Sequence, residues 1–405
     1  MTTVASAPRA TGTVRVPYAD LIRFATDVFA ACALPPERAR AAAEALCYGD
    51  AAGMDSHGLA NLTRLYLPLL AEGRADPRAE PVVLADRGAA VLVDAAGALG
   101  LWQAGAAMEL AAERAEQYGI GLVSVRRATH FGCAGHHAAR VTGRGMIGLL
   151  ASNCGRQRIA RPPGGAVALL GTNPWSVAAP AGELPPYVLD MSTTAVPTGR
   201  VRAAERAGRA IPEGWLAGPD GRPVTDPGAF DRGEAHLLWL GSGAGGEFKG
   251  FGLGLMVEVL AALLPGAGLG PDPAALEGDG RPSGRDDDIG VFALAIAPAA
   301  LRDAEQVALD ARTLFGTVLD CPPAEGSSGP VAYPGWHEAR RTAEARRDGV
   351  PVAAPLLAEL AAVAEQFGVR PVSVPASVSV PASAAGAGTG AGTGAGTVAG
   401  TEGGR

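Results

Sequence analysis

The chain contains a single lysine, Lys249, among 34 basic residues, so arginine carries nearly all of its positive charge. Acidic residues outnumber basic ones and the formal charge is −7, which argues against an electrostatic footprint for nucleic acid or an anionic membrane surface. Cysteine is sparse: five residues, an odd number and widely spaced, give neither a disulfide framework nor a CxxC zinc site. The opening stretch MTTVASAPRATGTVRV lacks a hydrophobic signal core. The best candidate for a membrane span, 251–270, carries Glu258 and is broken by Pro265, so it reads as a buried helix. Walker A and GxSxG motifs are both missing. With 405 residues, 48% apolar and 19% charged, the chain has room for one large or two smaller domains with a sizeable core. The expectation is a cytoplasmic enzyme whose partners are small molecules rather than nucleic acid or membrane.

Residues 1–15 read as disordered. Tyr18 to Leu34 places apolar residues at helical spacing and ends at Pro35-Pro36, where Pro36 suits the first position of a second helix through Leu46 and Tyr48. A third helix is expected after the N-cap candidates Asp55 and Ser56, running through Leu62, Leu65 and Leu69. From about residue 88, β-like runs (Ala90–Val93, Gly121–Val125, Ile147–Ala151, Tyr187–Leu189, Val291–Ile296) alternate with helical stretches at 101–117, 134–143 and 248–264. Helical periodicity returns over Ala300–Leu319 and around 336–348 and 355–366. The reading is an α/β (α+β) fold: a mainly helical domain from 16–85 plus about 300–370, and a mixed α/β domain over 86–299. The repetitive tail 371–405 (SVPAS, then AGTG) is short of bulky apolar residues and reads as disordered.

Histidine is as informative as lysine, with only six in the chain. His57 lies in DSHG at a helix start, where it either projects into a cleft or caps a turn. His130, in THFG, follows the strand-like GLVSVRR and occupies the strand-end loop where α/β folds place working residues. His136 and His137 follow, but neighbouring helical side chains diverge and no HxxxH or carboxylate cluster accompanies them, so no metal is expected. His236 and His337 read as packing or surface residues. In an arginine-dominated chain, Lys249 within GGEFKGFG suggests a compact ammonium donor near phosphate, ribose or carboxylate. The segment GSGAGG at 241–246 is formally GxGxxG, yet the acidic ribose ligand expected about 20 residues later is missing, so it is not a dinucleotide fingerprint.

In this order, the motifs resemble the type 2 malate/L-lactate dehydrogenase family, which includes ureidoglycolate dehydrogenase, sulfolactate dehydrogenase, diketogulonate reductase and piperideine-2-carboxylate reductase. The likeness spans roughly 17 to 368: DSHG at 55–58, ATHFGCAG at 128–135, GTNPWSVAAP at 171–180, LDMSTT at 189–194, IPEGW at 211–215, GRPVTDP at 221–227, EFKGFGLGLMVEVL at 247–260 and YPG at 333–335. It implies an oxidoreductase using NAD or NADP on a non-Rossmann nucleotide domain, usually a dimer, acting on a 2-oxo or 2-hydroxy acid or on a cyclic imine carboxylate. By resemblance, His57 and His130 are the acid/base residues. Cofactor contacts map to Cys154, Asp190, Met191, Ser192, Lys249, Gly250, Pro334, Gly335 and Trp336. Substrate contacts map to Ser56, Asn61, Arg64, Thr172 and Asn173.

The departures bear on substrate. Many family members have an arginine where this chain has Asn61; Arg64, one helical turn on, is the residue able to compensate. The aromatic usual nine positions after the serine is Leu65 here, with Tyr66 adjacent. Cys154 replaces a common serine, and Gly290-Val291-Phe292 stands for the usual GHF. Two alternatives therefore accompany the 2-oxo acid reading: a cyclic-imine reductase, and a non-catalytic cofactor-binding structural or regulatory subunit.

Overall fold

The computed structural model describes residues 12–242, 245–277 and 281–373. The chain begins with β1 (Thr13–Val16), α1 (Tyr18–Ala31) and α2 (Pro36–Ala52). Helix α1 turns Leu21, Phe24, Ala25, Val28 and Phe29 inward, the stripe its 3.6-residue period dictates. Strand β1 corrects one expectation. Residues 13–15 are ordered, because Val14 and Val16 alternate into the core while the backbone pairs antiparallel with Val350–Ala353. The start of the expected disordered tail is ordered as well: Val372 is buried and Pro371 O accepts from Arg23 Nη2 at 2.9 Å. The remainder of the expected disorder, 1–11 and 374–405, lies outside the described residues.

The third helix also differs from expectation. Asp55–His57 forms a short 3-10 turn, Gly58 is extended at φ −93° and ψ −158°, and a π-helical turn (Leu62–Tyr66) then leads into α3 (Leu67–Ala71). The break at Gly58 separates the histidine turn from the helix, so Asp55 and Ser56 cap nothing.

The remaining elements are β2 (Val82–Asp86), β3 (Ala90–Asp94), α4 (Gly100–Tyr118), β4 (Ile120–Ala128), α5 (Ala134–Ala138), β5 (Ile147–Ser152), β6 (Trp175–Ala181) and β7 (Leu184–Met191). There follow α6 (Thr198–Arg206), β8 (Leu216–Ala217), β9 (Pro223–Val224), α7 (Gly228–Asp231), β10 (His236–Leu237), α8 (Glu247–Glu258) and β11 (Ile289–Ile296). The described chain closes with α9 (Ala304–Leu319), α10 (Trp336–Asp348), β12 (Val350–Ala353) and α11 (Ala354–Phe367).

A seven-stranded mixed sheet in the order β2-β3-β4-β11-β5-β6-β7 forms the centre. Strands β3 and β4 run parallel across the α4 crossover, and the other ladders are antiparallel. This is a mixed α/β fold without Rossmann topology. The GSGAGG segment follows β10, a two-residue strand of a separate three-stranded antiparallel sheet. The main core joins α1, α2, α4 and one face of the large sheet, while a second cluster around Phe230, Leu237 and Trp239 sits between the small sheet and α6.

On the opposite face, α8 is anchored by Glu258, which is 3% exposed within an apolar helix. Its carboxylate accepts from Asn153 Nδ2 (3.2 Å), Asn173 Nδ2 (2.9 Å) and the Gly270 N–H (2.7 Å). Asn153 Oδ1 in turn accepts the Gly290 N–H at 2.9 Å, so helix α8, the end of β5, the GTN loop and β11 share one buried network. Replacing Glu258 by alanine abandons three buried donors at about 1–3 kcal/mol each. Chemical denaturation should show Glu258→Ala destabilised by roughly 3 kcal/mol or more; a near-wild-type midpoint would show that the network does not anchor α8.

Candidate active site

The last turn of α2 runs directly into the 3-10 turn that carries Ser56 and His57, while β4 ends at the loop carrying His130. Gly58 lets the turn pack against α2: a Cβ there would fall inside the Asp50 carboxyl group. The imidazoles of His57 and His130 then stack with centroids 5.8 Å apart and planes 18° from parallel. Ser56 Oγ lies 2.9 Å from His57 Nδ1. Helix α6 covers this turn closely, with Gly199 against the Ser56 side chain.

His130 Nδ1 accepts the Gly132 N–H at 3.3 Å and lies 2.7 Å from the Tyr66 hydroxyl. Because Nδ1 is the acceptor from a backbone N–H, it carries no proton in the neutral ring, so Tyr66 donates to it and the ring proton sits on Nε2. Tyr66 is fully buried, which pushes its phenol well above its ordinary range and keeps it a donor. Burial lowers both imidazoles: His57 is pushed down to about 4, with His130 adding to the effect. His130 is lowered by burial and partly restored by the negative charge of Asp286. The pair therefore rests neutral rather than as an imidazolium.

Asp286, paired to Arg74 at 2.7 Å, acts electrostatically on His130, Tyr66 and Cys154. Cys154 Sγ is 3.4 Å from Thr172 Oγ1, and the thiol is raised by burial. Thr172 O accepts from Thr193 N–H and Oγ1, next to Ser192; Thr193 O accepts from Leu240 N–H, and Leu240 O accepts from Gly250 N–H. Lys249, the neighbour of Gly250, is exposed on the first turn of α8, whose N-terminus no side chain caps. Across β7, Asp190 Oδ2 accepts the Gly135 N–H (2.7 Å) at the start of α5, and burial raises its carboxyl to about 6. Met191 follows at the strand's end. Pro334 O accepts the Val188 N–H, and Gly335, at φ 93°, packs where a Cβ would meet Val188 N at 2.7 Å. This places Trp336 and the side-chain-uncapped start of α10 beside β7. The N-termini of α8 and α10 are both free of side-chain caps, and Lys249 stands on the first turn of α8.

Three expected substrate residues have partners within the protein. Asn61 Nδ2 donates to Ser56 O at 2.9 Å and so braces the turn. Arg64 reaches Glu359 of α11 at 3.5 Å on the surface. Asn173, fully buried at φ 39°, gives its amide to Glu258 and to Gly254 O, leaving Oδ1 without a partner. Sequence reasoning noted Tyr66 only as the aromatic beside Leu65, and it did not single out Asp50 or Asp286. A run of three aspartates, Asp286 to Asp288, was the available signal for the last.

Comparison with known proteins bears on what this site does. Residues 16–361 match the model of the malate/L-lactate dehydrogenase family. A malate dehydrogenase of Pyrococcus horikoshii is 36% identical over 255 residues, covering 62% of this chain and 69% of that protein. A Δ1-pyrroline-2-carboxylate/Δ1-piperideine-2-carboxylate reductase of Pseudomonas putida is 34% identical over 261 residues, covering 64% and 74%. Among solved structures, malate dehydrogenase from Entamoeba histolytica superposes with a TM-score of 0.81 at 26% identity, covering 88% of this chain and 99% of that one. With most of its length matched and its fold shared, the chain belongs to the malate/L-lactate dehydrogenase family and is an oxidoreductase.

Proposed function

We propose that the protein moves a hydride between NAD or NADP and a small 2-oxo or 2-hydroxy acid. The stacked His57–His130 pair carries this reading. Bound nicotinamide supplies or accepts the hydride at the substrate carbon; the protein manages the oxygen and its proton. His130, held as the Nε2–H tautomer, donates a hydrogen bond to the substrate oxygen. His57 exchanges the proton: in the oxidation direction its Nδ1–H points to Ser56 Oγ and Nε2 takes the hydroxyl proton, an effect worth roughly 10²–10⁴ in rate. Cys154, Asp190, Met191, Ser192, Lys249, Gly250, Pro334, Gly335 and Trp336 are proposed to hold the cofactor. Thr172 lines the pocket, Asn61 shapes it, Arg64 stands at its rim and Asn173 supports it from behind.

A cyclic imine carboxylate is the second reading, with the proton delivered to nitrogen. The Asn61 bond to Ser56 O favours it, because a neutral amide stands where the family often has an arginine and is engaged in bracing the turn. The Pseudomonas putida relative supports it by its name.

The protein is further proposed to be a homodimer. Phe248, Leu255, Val259 and Leu263 form an exposed apolar stripe along α8 and its continuation, a surface that a second copy would cover. A helical domain (16–85 with about 300–370) and a cofactor domain (86–299) are the proposed division. Five free cysteines fit a reducing cytoplasm, and no described helix is long and apolar enough to cross a membrane.

Thermal-shift titration with NADH and NADPH should show stabilisation of about 2.7 kcal/mol at 100 times the dissociation constant; no response to either would count against the reading. His57→Ala and His130→Ala should retain that shift yet lose turnover on a panel of 2-oxo acids and cyclic imines, and wild-type rates in both would reject the pair. Tyr66→Phe should bind cofactor normally and slow turnover by about 10-fold, the worth of one hydrogen bond; an unchanged rate would make the phenol a bystander. Val259→Glu with Leu263→Lys should convert dimer to monomer by light scattering, whereas an intact dimer would place the interface elsewhere.

A further inference from the structure

Asp50 is a carboxyl group beneath the histidine turn that the proposed chemistry does not use. It lies on the last turn of α2, half-buried, with its carboxyl group enclosed by protein. Its Oδ2 accepts the Leu59 N–H at 2.7 Å, two residues beyond His57. Two glycines bring the segments into direct contact. The Gly58 Cα rests on the Asp50 carboxyl, and a Cβ on Gly49 would lie 2.7 Å from the His57 carbonyl carbon.

We propose that Asp50 is a positioning residue for the catalytic turn, its carboxylate gripping the Leu59 N–H and thereby fixing where His57 stands. The inference rests on His57 being the acid/base residue. A charge-assisted N–H···O⁻ bond is roughly twice as strong as a neutral one, so the grip depends on ionisation.

The surroundings make that charge costly. The ionisable groups facing Asp50 are Asp55 of the turn, Tyr18 of α1, Cys47 on its own helix and Cys133 before α5, all neutral or negative. From α10, Arg341 packs on Gly53 one turn end away. Burial and then Asp55 push the Asp50 carboxyl up to about 7. Because the folded-state value exceeds the unfolded one, folding favours the protonated form, and this group's contribution to stability is lost as pH rises towards 7. Asparagine would accept the same N–H without that loss, so fold stability alone does not account for an aspartate here.

The test uses the full chain and compares wild type with Asp50→Asn and Asp50→Ser. The measurements are melting temperature at about pH 6 and pH 8, NADH and NADPH titration, and kcat/KM against pH on the best substrate of the panel. Asp50→Asn should melt at or above wild type near pH 8 and bind cofactor normally. It should turn over roughly 10- to 100-fold more slowly, as expected for a misplaced catalytic group, and lose the wild-type inflection near pH 7. Asp50→Ser, which keeps a shorter acceptor, should share the kinetic loss. A wild-type rate and inflection in Asp50→Asn would overturn the inference, as would rate losses that merely follow a fall in melting temperature. A wild type that neither binds cofactor nor turns over substrate would overturn the assignment of the site itself.

Discussion

Strand β11 is the constraint on which the rest of the molecule depends. It comes from late in the chain yet pairs with both β4 and β5, in register from Val291 to Ile296 on each side. Its pairing sets the distance between the His130 loop at the end of β4 and Cys154 just past β5. The loop that precedes it delivers Asp286 between them, and the Gly290 N–H locks its start to Asn153. Gly290 allows this because a side chain there would run into the helix continuing α8 at Ala261. The site is thus assembled by sheet closure rather than by any one segment.

Around that frame, polarity is spent in two separate places. The Glu258 network is fully inward and joins structural elements; the His57–His130 pair is only partly buried and is kept for the proposed chemistry. Asn173 shows the division well. It belongs to a motif shared with the family, yet its amide serves Glu258, so its effect on the pocket passes through the loop it steadies.

Much of this was legible in the sequence. Apolar periodicity located α1, α2, α4, α10 and α11, and short β-branched runs located β3, β4, β5 and β11. The ordered motifs carried the family. What stayed hidden did so for physical reasons. Strand β1 is too short to announce itself and is ordered by a partner more than three hundred residues away. Tyr66 was masked by the π turn at Leu62–Tyr66, where one residue more per turn moves the inward face from position 65 to 66. The aromatic expected at Leu65 is present after all, one place later. Asn61 was placed by its position in the motif and Arg64 by one turn of a regular helix; the break at Gly58 and the π turn give them the partners Ser56 O and Glu359 instead.

The stacked imidazoles have a consequence for proton stoichiometry. Each ring is desolvated, and charge on His130 further disfavours charge on His57. Protonation of such a pair involves the two rings together, and the first step opposes the second. Over the range in which the first step occurs, the two histidines hold one exchangeable proton between them. Reduction of a carbonyl by hydride consumes one proton, and its reversal returns one, so the capacity of the pair equals the demand of a single turnover.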